Sequence, residues 1–178
     1  MSKEVIDFWF SELQPSQWWQ KDLAFDSMIQ RRFGQLHKKA KAGELFQWRK
    51  TAKGSLAEII ILDQFSRNIY RDKPESFSCD PLALALSQFA IAKGLDVELS
   101  DTERTFLYLP FMHSESKFIH VEALKIYKAL GVPNSLDFEK KHKVIIDRFG
   151  RYPHRNTVLG RTSTAEEIEF LKQPNSSF

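Results

Sequence analysis

The sequence has little of what several common kinds of site require. It holds one cysteine, Cys79, in 178 residues, so no internal disulfide framework is possible and a reducing, cytoplasmic setting is expected. Its glycines build neither a Gly-rich phosphate loop nor a G-x-S-x-G nucleophile elbow. No apolar run approaches the length of a bilayer span: the nearest candidate, Leu56–Leu62, carries Glu58 and ends at Asp63. The first residues, Met1 to Val5, lead to Asp7 without an apolar signal segment. Neither secretion nor membrane insertion is therefore expected. No stretch alternates polar and apolar residues as a half-buried strand does. The net charge of +3 is too mild a bias to point to nucleic acid.

What the chain does have is aromatic bulk and helical periodicity. Fifteen Phe and four Trp can fill a substantial core, because each buries a large area. Hydrophobic residues at 42% against charged residues at 28% give an ordinary globular balance. A chain of this length buries roughly 70% of the surface it exposes when unfolded. No linker divides it, so residues 1–178 read as a single domain.

Seven to eight helices with short connections account for every apolar stripe. Val5–Leu13 opens the series and Pro15 follows it, with Trp18 and Trp19 in the next connection. Asp22–Ala42 carries Phe25, Met28, Ile29, Phe33, Leu36 and Ala40 on one face, with Gly43 placed for a left-handed cap. The third helix starts near Thr51 or Ser55, where Ser55 and Glu58 have capping-box spacing. Asp80-Pro81 reads as an N-cap followed by a first-turn proline, and Gly94 ends that helix. Ser100 and Glu103 form a second capping box, opening a segment that Pro110 should kink or break. Ser116–Leu130 is followed by Gly131. Phe138, His142, Ile145 and Phe149 define the next face, stopped by Gly150. Thr164 with Glu167 caps the last helix, which ends before Pro174.

Charge clusters in two places. Lys38 to Lys53 holds six basic residues against Glu44 alone, which reads as a solvated face. Arg148 to Arg161 holds four arginines and no acid, in a turn-rich connection whose planar guanidinium groups suit carboxylate or phosphate partners.

Three stretches are unusual as words: Leu62-Asp63-Gln64-Phe65-Ser66-Arg67-Asn68-Ile69-Tyr70-Arg71, Phe111-Met112-His113-Ser114-Glu115, and Arg148-Phe149-Gly150-Arg151-Tyr152-Pro153-His154-Arg155-Asn156, continuing into Leu159 to Thr164. With Asp7-Phe8-Trp9-Phe10 and Trp18-Trp19, they resemble a bacterial family of unknown function with the serial label 924, over essentially the whole chain. The resemblance implies an all-α fold like that of tetratricopeptide repeats, with antiparallel helical hairpins stacked in a right-handed arrangement. It implies no activity. The chain departs from the family at Ser66 and Ala165, where relatives often carry proline.

Those words also hold the candidate site residues. Asp63 and Arg67 lie four apart on a helix, either as an ion pair that fixes packing or with Arg67 or Arg71 free to bind an anion. Arg151, Arg155, Asn156 and Arg161 could bind an anion beside the helix N-terminus at Thr164. Alternatively, these arginines satisfy helix-end carbonyls and pair with Asp147, Asp63 or Glu115. His113 or His154, with Glu115, could move a proton. His142, set among apolar residues, is expected to be buried and structural. No cofactor is called for and no metal site is expected: Glu139 to His142 has the spacing of half a di-iron motif, and no second copy exists. Cys79 gains little activation from its helix start because Asp80 opposes it.

Three readings of function follow: a site for an anionic small molecule, with or without catalysis; a helical scaffold for a protein partner, whose polar words only hold the fold; and, ranked last, RNA binding, since the basic clusters lack interleaved exposed aromatics. A concave pocket lined by at least two of the three words supports the first, and a sealed polar network beneath a bare groove supports the second.

Overall fold

The computed structural model describes residues 1–174, 176 and 177, and these contain helices and turns but no strand. Helix α1 spans Ser2–Asp7 and runs on through a π turn, Phe8–Glu12. Helix α2 spans Leu23–Lys41. Helix α3, Ala52–Ile60, continues through a second π turn, Ile61–Phe65, into α4, Ser66–Ile69, making one rod. Helices α5 (Asp80–Ala92), α6 (Asp101–Met112), α7 (Lys117–Leu130), α8 (Pro133–Phe149) and α9 (Ala165–Leu171) complete the set.

Local chemistry sets most boundaries. The Asp22 carboxylate accepts the N–H groups of Ala24 and Phe25 at 2.8 and 3.1 Å, satisfying donors that the first turn of α2 leaves free. Ser100 with Glu103 and Thr164 with Glu167 form reciprocal capping boxes at α6 and α9. Gly131 and Gly150 end α7 and α8 at φ of 75° and 69°, where a side chain would be strained.

Four expectations need correction. Thr51 caps α3, so Ser55 and Glu58 lie a turn inside the helix and are buried rather than forming a capping box. Glu58 instead receives Arg49 Nε and Nη2, each at 2.7 Å. Asp80 stands in the first turn of α5 with Cys79 at the cap position, which frees its carboxylate for other partners. Helix α6 is not broken at Pro110, which stands within its last turn. Phe138 is 49% exposed: the buried face of α8 is Glu139, His142, Ile145 and Ile146. His142 itself is buried, with Nδ1 on the carbonyl of Phe138 at 2.8 Å.

Many of the aromatic residues gather in the core, although Trp19, Phe46, Phe89, Phe118 and Phe138 are exposed. Phe8, Phe33 and Phe65 form a chain with successive centroids 4.9 Å apart, joining the first π turn, α2 and the second π turn. Trp18 packs edge-on to Phe106 at 4.9 Å and donates to the carbonyl of Trp9 at 2.8 Å, closing the N-terminal connection over α6. Helix α3 packs against α1, α5 and α6, while α5 packs on α6, α6 on α7 and α7 on α8. A smaller cluster of Ile145, Ile146 and Tyr152 anchors the segment after α8. Among the described residues no helix is long and apolar enough to cross a membrane.

Candidate functional site

The site begins at the second π turn. Widening a helix by one residue per turn takes carbonyls out of the regular ladder, and side chains one turn on take them up. Ser66 Oγ donates to the carbonyl of Leu62 at 2.6 Å, and Arg67 Nη1 to that of Asp63 at 2.7 Å. The Asp63 side chain is buried and fully occupied: Gln64 Nε2 donates at 2.5 Å, Arg67 Nη1 lies at 3.2 Å, and His113 Nδ1 lies at 2.7 Å. Burial alone would raise its pKa, but the Arg67 guanidinium and His113, with the hydrogen bonds from His113 and Gln64, hold it well below the carboxylate range.

An ionised carboxylate can only accept, so the proton on His113 sits at Nδ1. Burial, helped by the positive charge of Arg67, lowers the His113 pKa despite the opposing pull of Asp63 and Asp80. The ring is therefore neutral at pH 7. Its Nε2 makes no hydrogen bond with the described residues, and it is not among the sealed, unpartnered atoms of the interior. An imidazole oriented through Nδ1 by a carboxylate, with Nε2 open, has the geometry of a general base.

Asp80, brought in by the start of α5, ties two arginines together. Arg67 donates to it through Nη1 and Nη2 at 3.0 and 3.1 Å, and Arg155 through Nη1 at 3.1 Å. Arg155 also donates to the carbonyl of His113 at 3.1 Å, and its guanidinium lies 4.5 Å from the Phe77 ring centroid and 4.7 Å from that of Tyr152. Its Nε is buried without a partner. Two aspartates and two arginines thus form a closed set of zero net charge around His113.

A cavity of about 550 Å³ opens beside this set. Pro74, Phe77, Pro81, Leu84, Pro110 and Leu159 form its apolar walls. Asp80, His113, Ser114, Glu115 and Arg155 form its polar side. That volume falls within the usual range for small-molecule sites, as does the mix of apolar wall and few polar groups.

Residues 5–175 match a family described as "Bacterial protein of unknown function (DUF924)". The chain belongs to this family. Its fold is similar to that of a protein of unknown function, ATU0120 from Agrobacterium tumefaciens, at a TM-score of 0.91, with 38% identity over 96% of each chain. None of the curated proteins compared matches the chain.

In this family member the three words do meet, though not with every residue. Asp63 and Arg67, His113 and Glu115, and Tyr152 and Arg155 come together. Arg71 lies apart, donating to Asp26 on α2 through Nε and Nη2 at 2.5 and 2.7 Å. Arg151 donates to Glu167 at 2.7 and 2.8 Å and to the carbonyl of Thr162, fastening the segment after α8 to α9. Arg161 donates to both oxygens of Glu115 at 2.6 and 2.9 Å and to Asn156 Oδ1 at 2.9 Å. Asn156 is buried and donates to Ser163 and Glu167. His154 does not line the cavity; burial lowers its pKa to about 4 and its Nδ1 is sealed without a partner. Asp147, expected opposite an arginine, pairs with Lys143 at 2.5 Å.

Sequence reasoning missed three contributors. Asp80 carried a signal, an acid at a helix start, but the capping role expected of it masked its use as a bridge. His120 and Glu139 are both fully buried with Nδ1 and Oε1 2.7 Å apart, and His120 Nε2 contacts the carbonyl of Ser114 at 2.8 Å, fixing the chain just after His113. No pattern in the sequence links these two residues. Among the described residues no three His, Cys, Asp or Glu side chains gather in a metal-binding group.

Proposed function

We propose that this cavity binds a small anionic molecule with an apolar body, and that His113 exchanges a proton with it. One observation carries the reading: His113 is fixed by a buried, ionised aspartate through Nδ1 at 2.7 Å, and its unpartnered Nε2 belongs to a residue on the cavity wall. The apolar walls suit a hydrocarbon or ring, and Arg155 adds a cation to the polar side. We place this function in the cytoplasm, on the strength of a single, buried, unpaired cysteine.

A second reading has its own support. Each of the five candidate arginines has a carboxylate partner, as expected of a scaffold whose polar cluster only holds the fold and whose business is with a protein partner. That reading leaves the open imidazole nitrogen without a role.

Thermal denaturation with a series of small carboxylates and phosphate monoesters of increasing apolar size separates the two. A ligand at about 100 times its Kd stabilises by roughly 2.7 kcal/mol, a Tm rise of about 5–10 °C at this chain length. The rise should vanish in Leu159→Trp, where the larger side chain fills the cavity. No shift with any member of the series would leave the scaffold reading standing.

A further inference from the structure

Resting on the cavity reading, we propose that an anion entering this site is bound together with one proton, which His113 takes up at Nε2, so that the occupant is a carboxylate-type monoanion held against an imidazolium. The charged and titratable groups around the ring come from several elements. From the second π turn comes Asp63 and from α4 comes Arg67; from the start of α5 comes Asp80; from the segment after α8 come Arg155, Tyr152 and His154. Helix α8 adds His142, which interacts electrostatically with His113. Beyond His113 itself, Glu115 is neutralised by Arg161, and His120 with Glu139 forms a closed pair whichever of the two holds the shared proton.

The sum with neutral histidines is zero. Asp63 and Asp80 cancel Arg67 and Arg155, and Glu115 cancels Arg161. An anion placed in the cavity then brings an uncompensated charge into a partly enclosed, largely apolar space, which is strongly unfavourable unless it is paired. The arginines cannot supply the pairing without giving up Asp80, since Arg67 and Arg155 both bond to it. His154 and His142 do not line the cavity. His113 does, and its Nε2 is an unoccupied acceptor beside an aspartate that stabilises the imidazolium. Protonation makes the protein side +1, and the anion returns it to zero.

Benzoate is a suitable probe: one carboxylate on an apolar ring, small enough for the cavity. Isothermal titration calorimetry of the whole protein in HEPES and in Tris, buffers of different ionisation enthalpy, counts protons exchanged on binding. The expected result at pH 7.5 is uptake of about one proton per benzoate. Affinity should fall about tenfold per pH unit above neutrality, because the free ring is unprotonated there. His113→Asn keeps a donor for Asp63 but has no basic nitrogen, so uptake should drop to near zero and binding weaken. If that variant fails to fold, the ring ¹⁵N shifts of the wild type decide: one histidine Nε2 should change from unprotonated to protonated on saturation. Benzoate binding without proton uptake, or uptake that persists in His113→Asn, overturns the proton coupling while the cavity reading survives. No binding at millimolar benzoate overturns the inference together with the anion reading beneath it.

Discussion

Replacing Asp80 with alanine removes the carboxylate that two arginines share, and the structure sets the size of the effect. Three hydrogen bonds go: two from Arg67 at 3.0 and 3.1 Å and one from Arg155 at 3.1 Å. Arg67 keeps Asp63, one turn back on its own rod. Arg155 keeps only the carbonyl of His113 and the faces of Phe77 and Tyr152, and its Nε already lacks a partner. A neutral set becomes a set of charge +1 around a side chain that is 7% exposed. Breaking a buried pair by deleting one partner costs roughly 3–5 kcal/mol. The partial exposure of Asp80 and Arg67, 13% and 22%, puts this case near the lower end, at about 3 kcal/mol. Urea unfolding reads that loss directly, and thermal unfolding should show a Tm lower by about 6–12 °C. Adding Arg155→Met to the Asp80→Ala protein removes the stranded cation and should recover about 1–2 kcal/mol of it. A loss below about 1 kcal/mol, or a double variant no more stable than Asp80→Ala alone, would show that Asp80 does not balance these arginines.

Further outcomes are expected elsewhere in the fold. In Gly54→Ala the new Cβ would lie 2.1 Å from the carbonyl oxygen of Trp48 and 2.8 Å from Thr51 Oγ1, so denaturant titration should show a loss of about 1–3 kcal/mol despite the better helix propensity of alanine. Burial lowers His37 and His154 to about 4 and His142 to about 3. The unfolded chain therefore binds more protons than the folded one between those values and the ordinary histidine value of about 6.5. Stability should be full above that value and fall with acidification toward pH 4, by up to about 1.4 kcal/mol per pH unit for each ring; a flat profile from pH 7 to 5 would contradict it. Burial also raises the Glu139 pKa, against the pull of His120, which favours a protonated Glu139 donating to His120. Glu139→Gln, whose amide can donate in the same place, should then cost under about 1 kcal/mol, and Glu139→Ala about 1–3 kcal/mol by leaving a buried nitrogen unsatisfied. Equal losses in the two variants by urea unfolding would point to an ion pair instead.

The helices were legible because their evidence is local. A stripe at helical spacing, a capping box such as Ser100 with Glu103, and a glycine such as Gly131 all act within a few residues of where they stand. The errors arise where one local signal has two physical uses. Ser55 and Glu58 have capping-box spacing, yet Thr51 claims the boundary one turn earlier and Glu58 pairs with Arg49. Phe138 lies on the stripe of His142 and Ile145, but α7 covers a face centred closer to Glu139 and Ile146, and a sequence does not say which neighbour covers a stripe. The π turn at Ile61–Phe65 left no signal in the apolar pattern either, because residues on all sides of that rod are buried. At the site, the unusual words supplied most of the residues. The pairings did not follow from them: Asp63 meets His113 across 50 positions and Asp80 meets Arg155 across 75, distances over which only the packed helices decide who faces whom.

The arginine segment shows how those pairings divide the work. Arg148 pairs with Glu166 at the surface, while Arg151 holds Glu167 and Arg161 holds Glu115. These contacts sit on either side of Tyr152–Arg155, and the N–H of Tyr152 is itself bonded to Glu115 at 2.7 Å. The outer arginines thus position a short stretch that delivers one guanidinium, Arg155, to the cavity wall. Losing Arg151 or Arg161 should loosen that delivery without removing a group that touches a ligand. A network of this kind is an expensive way to join helices, since apolar side chains of similar volume in place of buried ion pairs are often neutral or stabilising. Packing alone gives no reason to place an aspartate-oriented imidazole at the rim of an open space with its basic nitrogen unpaired. Proton exchange with a bound molecule does give one, which is why His113, rather than the more numerous arginines, is the residue on which the functional reading turns.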